Sequence, residues 1–326
     1  MRPRVFVTQP IAASALERLR GLADVTINSD PVRIVSVDEL SAAAGANDIL
    51  FCLLHDTVDA RVIASGRELR AIASMKITPS GVDVAAASAR RIPVTVIPPI
   101  VTEATADLHF GLLLAVARRV VEADRAVREN IFPGGQSSRF EGAGVFGKTI
   151  GLVGGGGRIG RAVAKRARGF SMRCLYWMPR RLPAAEEAEH GLEYASFEYL
   201  LTESDFVSIH AALNAQTVHL VDDRALSLMK PTAFLVNTAR GPIVDEAALV
   251  KALADKRIAG AGLDVFEHEP RVEKALLAMT NVVLTPHLGS AVAELREKMA
   301  HVVVDNIEAV LAGRRPPNCW NPEVYD

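Results

Sequence analysis

The chain has 326 residues, of which 49% are hydrophobic and 23% charged, proportions that exclude a disordered or fibrous protein and suit about two domains. With 37 basic and 38 acidic residues the formal charge is -1, so no global field favours nucleic acid or an anionic membrane, and any anion site must be local. Cys52, Cys174 and Cys319 lack the paired spacing of a zinc site or a disulfide framework, and no run of about 18 apolar residues occurs. The expectations are therefore reduced thiols, no metal, no secretion signal or membrane span, and a cytoplasmic protein.

Short β-branched runs alternate with Ala/Leu/Arg-rich segments of helical period, the pattern of βαβ units on a parallel sheet, so the fold class is α/β. Strands are predicted at residues 5–7, 25–27, 49–54, 69–74 and 94–97, with helices such as 12–19 and 84–90 between them. From Glu103 to Glu129 apolar residues recur at helical spacing, which predicts one long connecting helix. A second series at 149–153, 173–177, 206–210, 233–237, 260–265 and 282–285 makes a separate doubly wound set. The final helix is predicted to take Ser290 as its cap, to end at Gly313, and to return to the first sheet. Two Rossmann-like domains follow: a smaller substrate-binding (catalytic) domain of residues 1–101 and 291–326, and a nucleotide-binding domain of residues 102–290 inserted in it. Chemistry is expected in the cleft between them.

The stretch TIGLVGGGGRIGRAVAKRA reads as strand, glycine turn and helix, so Gly155, Gly157 and Gly160 satisfy GxGxxG in the setting the motif requires. Glycine lets the backbone turn sharply and approach a pyrophosphate, which the free N–H groups of the helix start can bind. Four glycines occupy 154–157, one more than the motif needs, and leave the register of the turn open. About 20 residues on, where an NAD site usually carries Asp or Glu, the chain reads LYWMPRR. No carboxylate there repels a 2′-phosphate, and Arg180 and Arg181 could grip one. NADP(H) is the expected cofactor; a solvated arginine pair with NAD(H) bound is the alternative.

Ligands of open α/β sheets bind beyond the carboxyl ends of the strands, and three complementary side chains fall there. Arg240 follows the strand in AFLVNTARG, Glu269 the strand in AGLDVFEHEP, and His287 the strand in NVVLTPHLG. An arginine can clamp a carboxylate, and a histidine beside a carboxylate is a poised proton donor. Singly, each has a plainer structural use; jointly, beside a nicotinamide, they suit hydride transfer to a keto acid.

GGGRIG, VNTARGPIVDEAAL, GLDVFEHEP and TPHLGS, in this order and spacing, resemble the D-isomer-specific 2-hydroxyacid dehydrogenase family over nearly the whole chain. RGPIVDEAAL, PHLGSA and the ending NCWNP are similar to its glyoxylate/hydroxypyruvate reductase branch. The resemblance implies a flavodoxin-like smaller domain, a homodimer, and reduction of a small 2-keto acid to the D-2-hydroxy acid. His287 would protonate the keto oxygen, Glu269 would orient His287, and Arg240 would hold the substrate carboxylate. It also implies that Asp264 meets the nicotinamide carboxamide, Thr238 and Ala239 the nicotinamide ribose, and Arg158 and Ile159 the pyrophosphate. Thr105 and His210 would line the cofactor cleft.

In the substrate loop the chain departs from the family and reads SMKITPSGVD. The backbone N–H groups of Ile77 and Thr78 would take the substrate carboxylate there. Lys76 resembles a lysine of phosphite dehydrogenases, offset by one residue; a direct substrate role and a solvated lysine are the two readings. His55 sits at another strand end and suits either substrate contact or the surface. Phe132 stands where many relatives have a tryptophan thought to cross a dimer interface. Oxidation of a phosphite-like anion and a non-catalytic, corepressor-like nucleotide sensor remain the alternatives; formate oxidation is disfavoured because Glu269 replaces the glutamine of that motif.

Overall fold

The computed structural model describes residues 2–132, 134–135 and 138–326. Two compact units emerge, one running to Ile100 and resuming at Ala291, the other spanning Val101–Ser290.

The first unit opens with β1 (Arg4–Val7), α1 (Ala13–Leu22), β2 (Asp24–Ile27), α2 (Val37–Ala46), β3 (Ile49–Cys52), α3 (Ala60–Ser65), β4 (Ala71–Ser74), α4 (Val84–Ala89) and β5 (Val94–Thr95). All strands are parallel in the order β2-β1-β3-β4-β5, the flavodoxin order. β3 and β4 are buried at every position, as strands covered on both faces must be, whereas the edge strand β2 has no buried residue. β5 is shorter than expected because Val96 turns its N–H to the carbonyl of Asn318 in the C-terminal segment.

The second unit contains α5 (Thr102–Ala117), α6 (Val120–Arg128), β6 (Thr149–Val153), α7 (Arg158–Gly169), β7 (Arg173–Trp177), α8 (Ala184–His190), β8 (Glu193–Tyr194), α9 (Phe197–Glu203) and β9 (Phe206–Ile209). It continues with α10 (Asp223–Leu228), β10 (Phe234–Asn237), α11 (Glu246–Ala254), β11 (Gly260–Leu263), α12 (Lys274–Ala278) and β12 (Val282–Leu284). The parallel sheet runs β12-β11-β10-β9-β6-β7-β8, so the strand order reverses between β6 and β9 and creates the crevice at which doubly wound sheets bind ligands. Side chains alternate across it: Phe206 packs with α5 and α7, while Val207 and Ile209 join the opposite core under α9 to α11.

The single helix expected over 103–129 is two helices. Arg119 adopts a left-handed φ of 54°, and its guanidinium grips Glu122 through two bonds of 2.8 and 2.7 Å. The Gly142–Ala143 backbone packs against the end of α5: Ala143 donates to the Ala117 carbonyl at 2.8 Å, and a Cβ on Gly142 would lie 2.4 Å from that oxygen. The carbonyl is thus spent on the loop and not on continuing the helix.

The last helix, α13 (Ala293–Leu311), belongs to the first unit. It starts later than expected: Val292 is the N-cap, with no side-chain cap, and Ser290 lies outside the helix. Its end matches the expectation, because Gly313 at φ +70° lets Gly313 and Arg314 donate to Val310 and Ala309 at 3.0 and 2.8 Å. Among the described residues no helix is long and apolar enough to cross a membrane, and no cluster of His, Cys, Asp and Glu could hold a metal ion.

Candidate active site

Arg240, Glu269 and His287 stand on three successive loops at the carboxyl ends of β10, β11 and β12. Asn237 closes β10 and braces the first loop, accepting the Ala239 N–H and donating to the Arg240 carbonyl, both at 3.0 Å. A Cβ on Gly241 would sit 1.9 Å from the Phe266 carbonyl carbon, so glycine there lets the Arg240 loop lie directly on the Glu269 loop. Burial lowers the Arg240 pKa while the nearby Glu269 charge opposes the shift. Arg240 itself donates to the Ala239 carbonyl at 2.6 Å.

His287 Nδ1 lies 3.0 Å from Glu269 Oε2, and Glu269 Oε1 accepts the Phe266 N–H at 3.1 Å, so the carboxylate is oriented from behind. Asp264 anchors the same region from below. Its Oδ1 accepts the Thr285 hydroxyl and the Leu288 N–H, both at 2.6 Å, and its Oδ2 accepts the Gly289 N–H at 2.9 Å. Burial pushes the Asp264 pKa up, and those bonds together with His287 hold it back. The Thr105 hydroxyl lies 3.1 Å from the Gly289 carbonyl and 2.9 Å from that of Val101, which ties α5 to the histidine loop.

The glycine turn fits a dinucleotide. Gly154 takes a φ of +83°, and a Cβ there would strike the Ala211 backbone nitrogen at 2.6 Å, which accounts for the fourth glycine. A Cβ on Gly160 would lie 2.6 Å from the Gly155 Cα, so both glycines are needed for α7 to pack on the strand. Gly157, the N-cap of α7, has only the Gly154 carbonyl within reach of a Cβ, at 3.2 Å, and no side chain caps the helix. Its first N–H groups, at Arg158, Ile159 and Gly160, have no side-chain cap, so an anion could approach them closely.

The two arginines after β7 differ. Arg181 binds both Glu187 oxygens at 2.8 Å, and Tyr176 donates to the same carboxylate at 2.7 Å, which holds the Glu187 carboxyl down to about 2. Arg180 is exposed and makes no ion pair among the described residues.

One cluster was not visible in the sequence. Ser208 Oγ lies 2.7 Å from His109 Nε2 and 2.8 Å from His210 Nε2, and His109 Nδ1 is 3.4 Å from the Thr238 hydroxyl. Burial drives the His109 pKa well down and that of His210 to about 3, so both rings are neutral. Nothing marks His109 in sequence, because it lies in the apolar run LHFGLLL, where a packed histidine is the ordinary reading.

In the first unit, Lys76 is not the solvated lysine of the plainer reading. It is 6% exposed, and its ammonium donates to the Asp56 and Ser80 carbonyls at 3.3 and 2.5 Å. Ile77 and Thr78 follow it, half-buried, in the same loop, and His55 is half-buried in a turn. Ala239 is half-buried beside Arg240, and Phe132 is 73% exposed.

A strand order that reverses beside a glycine cradle, with an Arg, a Glu–His pair and a buried Asp at successive strand ends, defines a nucleotide-dependent oxidoreductase. The NAD-binding domain pattern of the D-isomer specific 2-hydroxyacid dehydrogenases matches residues 110–289. The chain is 44% identical over 331 residues to a glyoxylate reductase of Thermococcus litoralis, covering 99% of this chain and 98% of that one. It is 45% identical to one of Korarchaeum cryptofilum, covering 99% and 97%. Among solved structures, the TT0316 protein of Thermus thermophilus is similar at 42% identity and a TM-score of 0.88, with 97% and 99% of the two chains covered. An NADPH-dependent glyoxylate/hydroxypyruvate reductase of Sinorhizobium meliloti is similar at 31% identity and a TM-score of 0.83, with 98% of each covered. The chain belongs to the D-isomer-specific 2-hydroxyacid dehydrogenase family. It is an NAD(P)-dependent oxidoreductase built on that family's two parallel-sheet domains.

Proposed function

We propose that the protein reduces glyoxylate, hydroxypyruvate or a keto acid of similar size to the 2-hydroxy acid, of D configuration where the product is chiral. The observation that carries this reading is the 3.0 Å pairing of His287 with Glu269 across two successive strand-end loops, of which the Glu269 loop lies against the Arg240 loop. It is supported by full-length relatives named glyoxylate reductase. Arg240 binds the substrate carboxylate and draws electron density from the adjacent carbonyl. A nicotinamide cofactor, when bound, would supply the hydride that the carbonyl carbon accepts. His287, oriented through Nδ1 by Glu269, gives the keto oxygen its proton from Nε2. Asp264 is assigned to the carboxamide, Thr238 and Ala239 to the nicotinamide ribose, Thr105 and His210 to the surrounding wall, and Gly155 to Gly160 to the pyrophosphate. The first unit is read as the substrate domain, with Ile77 and Thr78 N–H groups for the carboxylate and Lys76 holding their loop.

NADPH is the preferred donor in this reading. Support comes from the chain after β7, where Trp177, Met178 and Pro179 precede Arg180 with no carboxylate to repel a 2′-phosphate. Since Arg181 is committed to Glu187, the preference rests on Arg180. A homodimer is also proposed, on the family resemblance and the exposed Val120, Val127, Ile131, Phe132 and Phe146 of the second unit. Initial rates of NADPH and NADH oxidation with glyoxylate, hydroxypyruvate, pyruvate and phenylpyruvate test the reading. Turnover of glyoxylate or hydroxypyruvate with NADPH supports it, and no turnover of any acid despite cofactor binding overturns it.

A further inference from the structure

The cluster around Ser208 lies under the carboxyl ends of β9 and β10. Alternation along β9 turns Phe206 and Ser208 to the face shared with α5, where His109 is fully buried. The His109 and His210 ring centroids are 4.9 Å apart, with the Ser208 hydroxyl within hydrogen-bond distance of Nε2 on each. A hydroxyl carries one proton and can accept twice, but Ser208 is fully buried and its hydroxyl has no third partner among the described residues, so its proton goes to one ring and it accepts from the other. Both rings are neutral in the folded protein and each carries one N–H. If His109 Nε2 accepts from Ser208, His210 must donate from its own Nε2, and the reverse holds as well. The two histidines therefore hold opposite tautomers.

The constraint extends to Thr238 through His109 Nδ1. In one arrangement His109 donates to the Thr238 oxygen, which leaves the threonine proton to point elsewhere, and His210 Nδ1 is an acceptor. In the other, Thr238 donates to His109, and His210 Nδ1 carries a proton. The roles of the Thr238 hydroxyl and His210 Nδ1 thus switch together.

We propose that His109 and Ser208 are positioning residues of a four-member hydrogen-bond wire that sets, as one unit, the donor and acceptor groups Thr238 and His210 turn to the nicotinamide half of the cofactor. This rests on the assignment of Thr238 and His210 to that half under the proposed function. Ribose hydroxyls and a carboxamide each donate and accept, so the cofactor selects one polarity of the wire.

Long-range proton–nitrogen spectra of the wild-type histidine rings at pH 7.5, without cofactor, test the wire directly. One of His109 and His210 is expected to carry its proton on Nδ1 and the other on Nε2; like tautomers, or an imidazolium at either, overturn it. Thr238→Val is expected to move the ring nitrogen shifts of His210, and to leave them unmoved when Ser208→Ala is also present. Absence of the first change overturns the coupling. By calorimetry, Ser208→Ala is expected to bind NADP+ about threefold to tenfold more weakly than wild type, the worth of one lost hydrogen bond. Binding within twofold of wild type overturns the positioning role. Failure of the wild type to bind either NADP+ or NAD+ overturns the cofactor assignment itself, whatever the tautomers, whereas normal binding with like tautomers overturns the wire alone.

Discussion

His287 Nδ1 and Glu269 Oε2 lie 3.0 Å apart, and both side chains are 22% exposed. The pair is screened enough for its charge interaction to matter, yet open enough for substrate to reach the ring. The second oxygen of Glu269 is held by the Phe266 N–H, so the carboxylate is fixed before the histidine meets it. Replacing Glu269 by Gln keeps the shape and removes the charge that pairs with His287 Nδ1. A charge-assisted hydrogen bond exceeds a neutral one by about 1–2 kcal/mol. Steady-state kinetics of Glu269→Gln are expected to show kcat down about tenfold, with the KM for NADPH unchanged.

Arg180 and Arg181 are neighbours with different commitments. Arg181→Ala removes two bonds to Glu187 and a cation held 5.3 Å from the Tyr194 ring, so its expected effect is on thermal stability, with cofactor choice kept. Arg180→Ala is expected to lower kcat/KM for NADPH at least tenfold and leave NADH untouched. Equal losses for both cofactors in Arg180→Ala would show that the exposed arginine does not read the 2′-phosphate.

Glycines of the second unit separate into required and replaceable positions. Gly160→Ala drives a methyl group to 2.6 Å from the Gly155 Cα, so α7 must shift off the turn and calorimetric binding of NADP+ is expected to be lost. Gly111 lies inside α5 with nothing within 4 Å of a Cβ, and Gly111→Ala is expected to raise stability by about 0.5–1 kcal/mol in denaturant melts.

The His219–Glu267 pair, 2.6 Å apart, gives the stability a defined pH dependence. The bond to Glu267 raises the His219 pKa above its ordinary 6.5. Burial works against Glu267, but His219 and the Glu246 N–H bring its carboxyl below the ordinary 4.5. A raised histidine contributes fully below its unfolded value and loses that contribution as pH climbs through the folded value. The lowered carboxyl contributes above its unfolded value and loses it in acid. The pair is therefore most stabilising between pH 4.5 and 6.5. His219→Gln is expected to lower the unfolding free energy in denaturant melts more at pH 5.5 than at pH 8.5, by no more than about 1 kcal/mol because His219 is well exposed.

Both strand series are legible because their central members are short, mostly apolar runs buried at every position. β8 is not: it has two exposed residues at the sheet edge, too short for periodicity to register. The break between α5 and α6 escapes sequence reading because a loop over twenty residues away takes the Ala117 carbonyl that would continue the helix. Ser290 has the chemistry of a cap but stands three residues before Ala293, the first residue of α13.

At the candidate site, the placement of Arg240, Glu269 and His287 is legible because the three fall together beyond the ends of successive strands, whereas singly each has a plainer structural use. The commitment of Arg181 to Glu187 depends on where α8 folds back, which no local pattern encodes. Asn237 and Ser208 read as ordinary ends of strands, and only the folded sheet turns Ser208 toward His109 on a distant helix.

The proposed reduction of a small 2-keto acid depends on His287 as its proton donor. The most direct test compares wild type and His287→Ala for NADPH oxidation with hydroxypyruvate, with NADPH affinity measured in parallel by fluorescence. In His287→Ala kcat is expected to fall by about 10²–10⁴ while the NADPH Kd stays within twofold. A variant that turns over at the wild-type rate, or that loses activity only through lost NADPH binding, would contradict the proton-donor role.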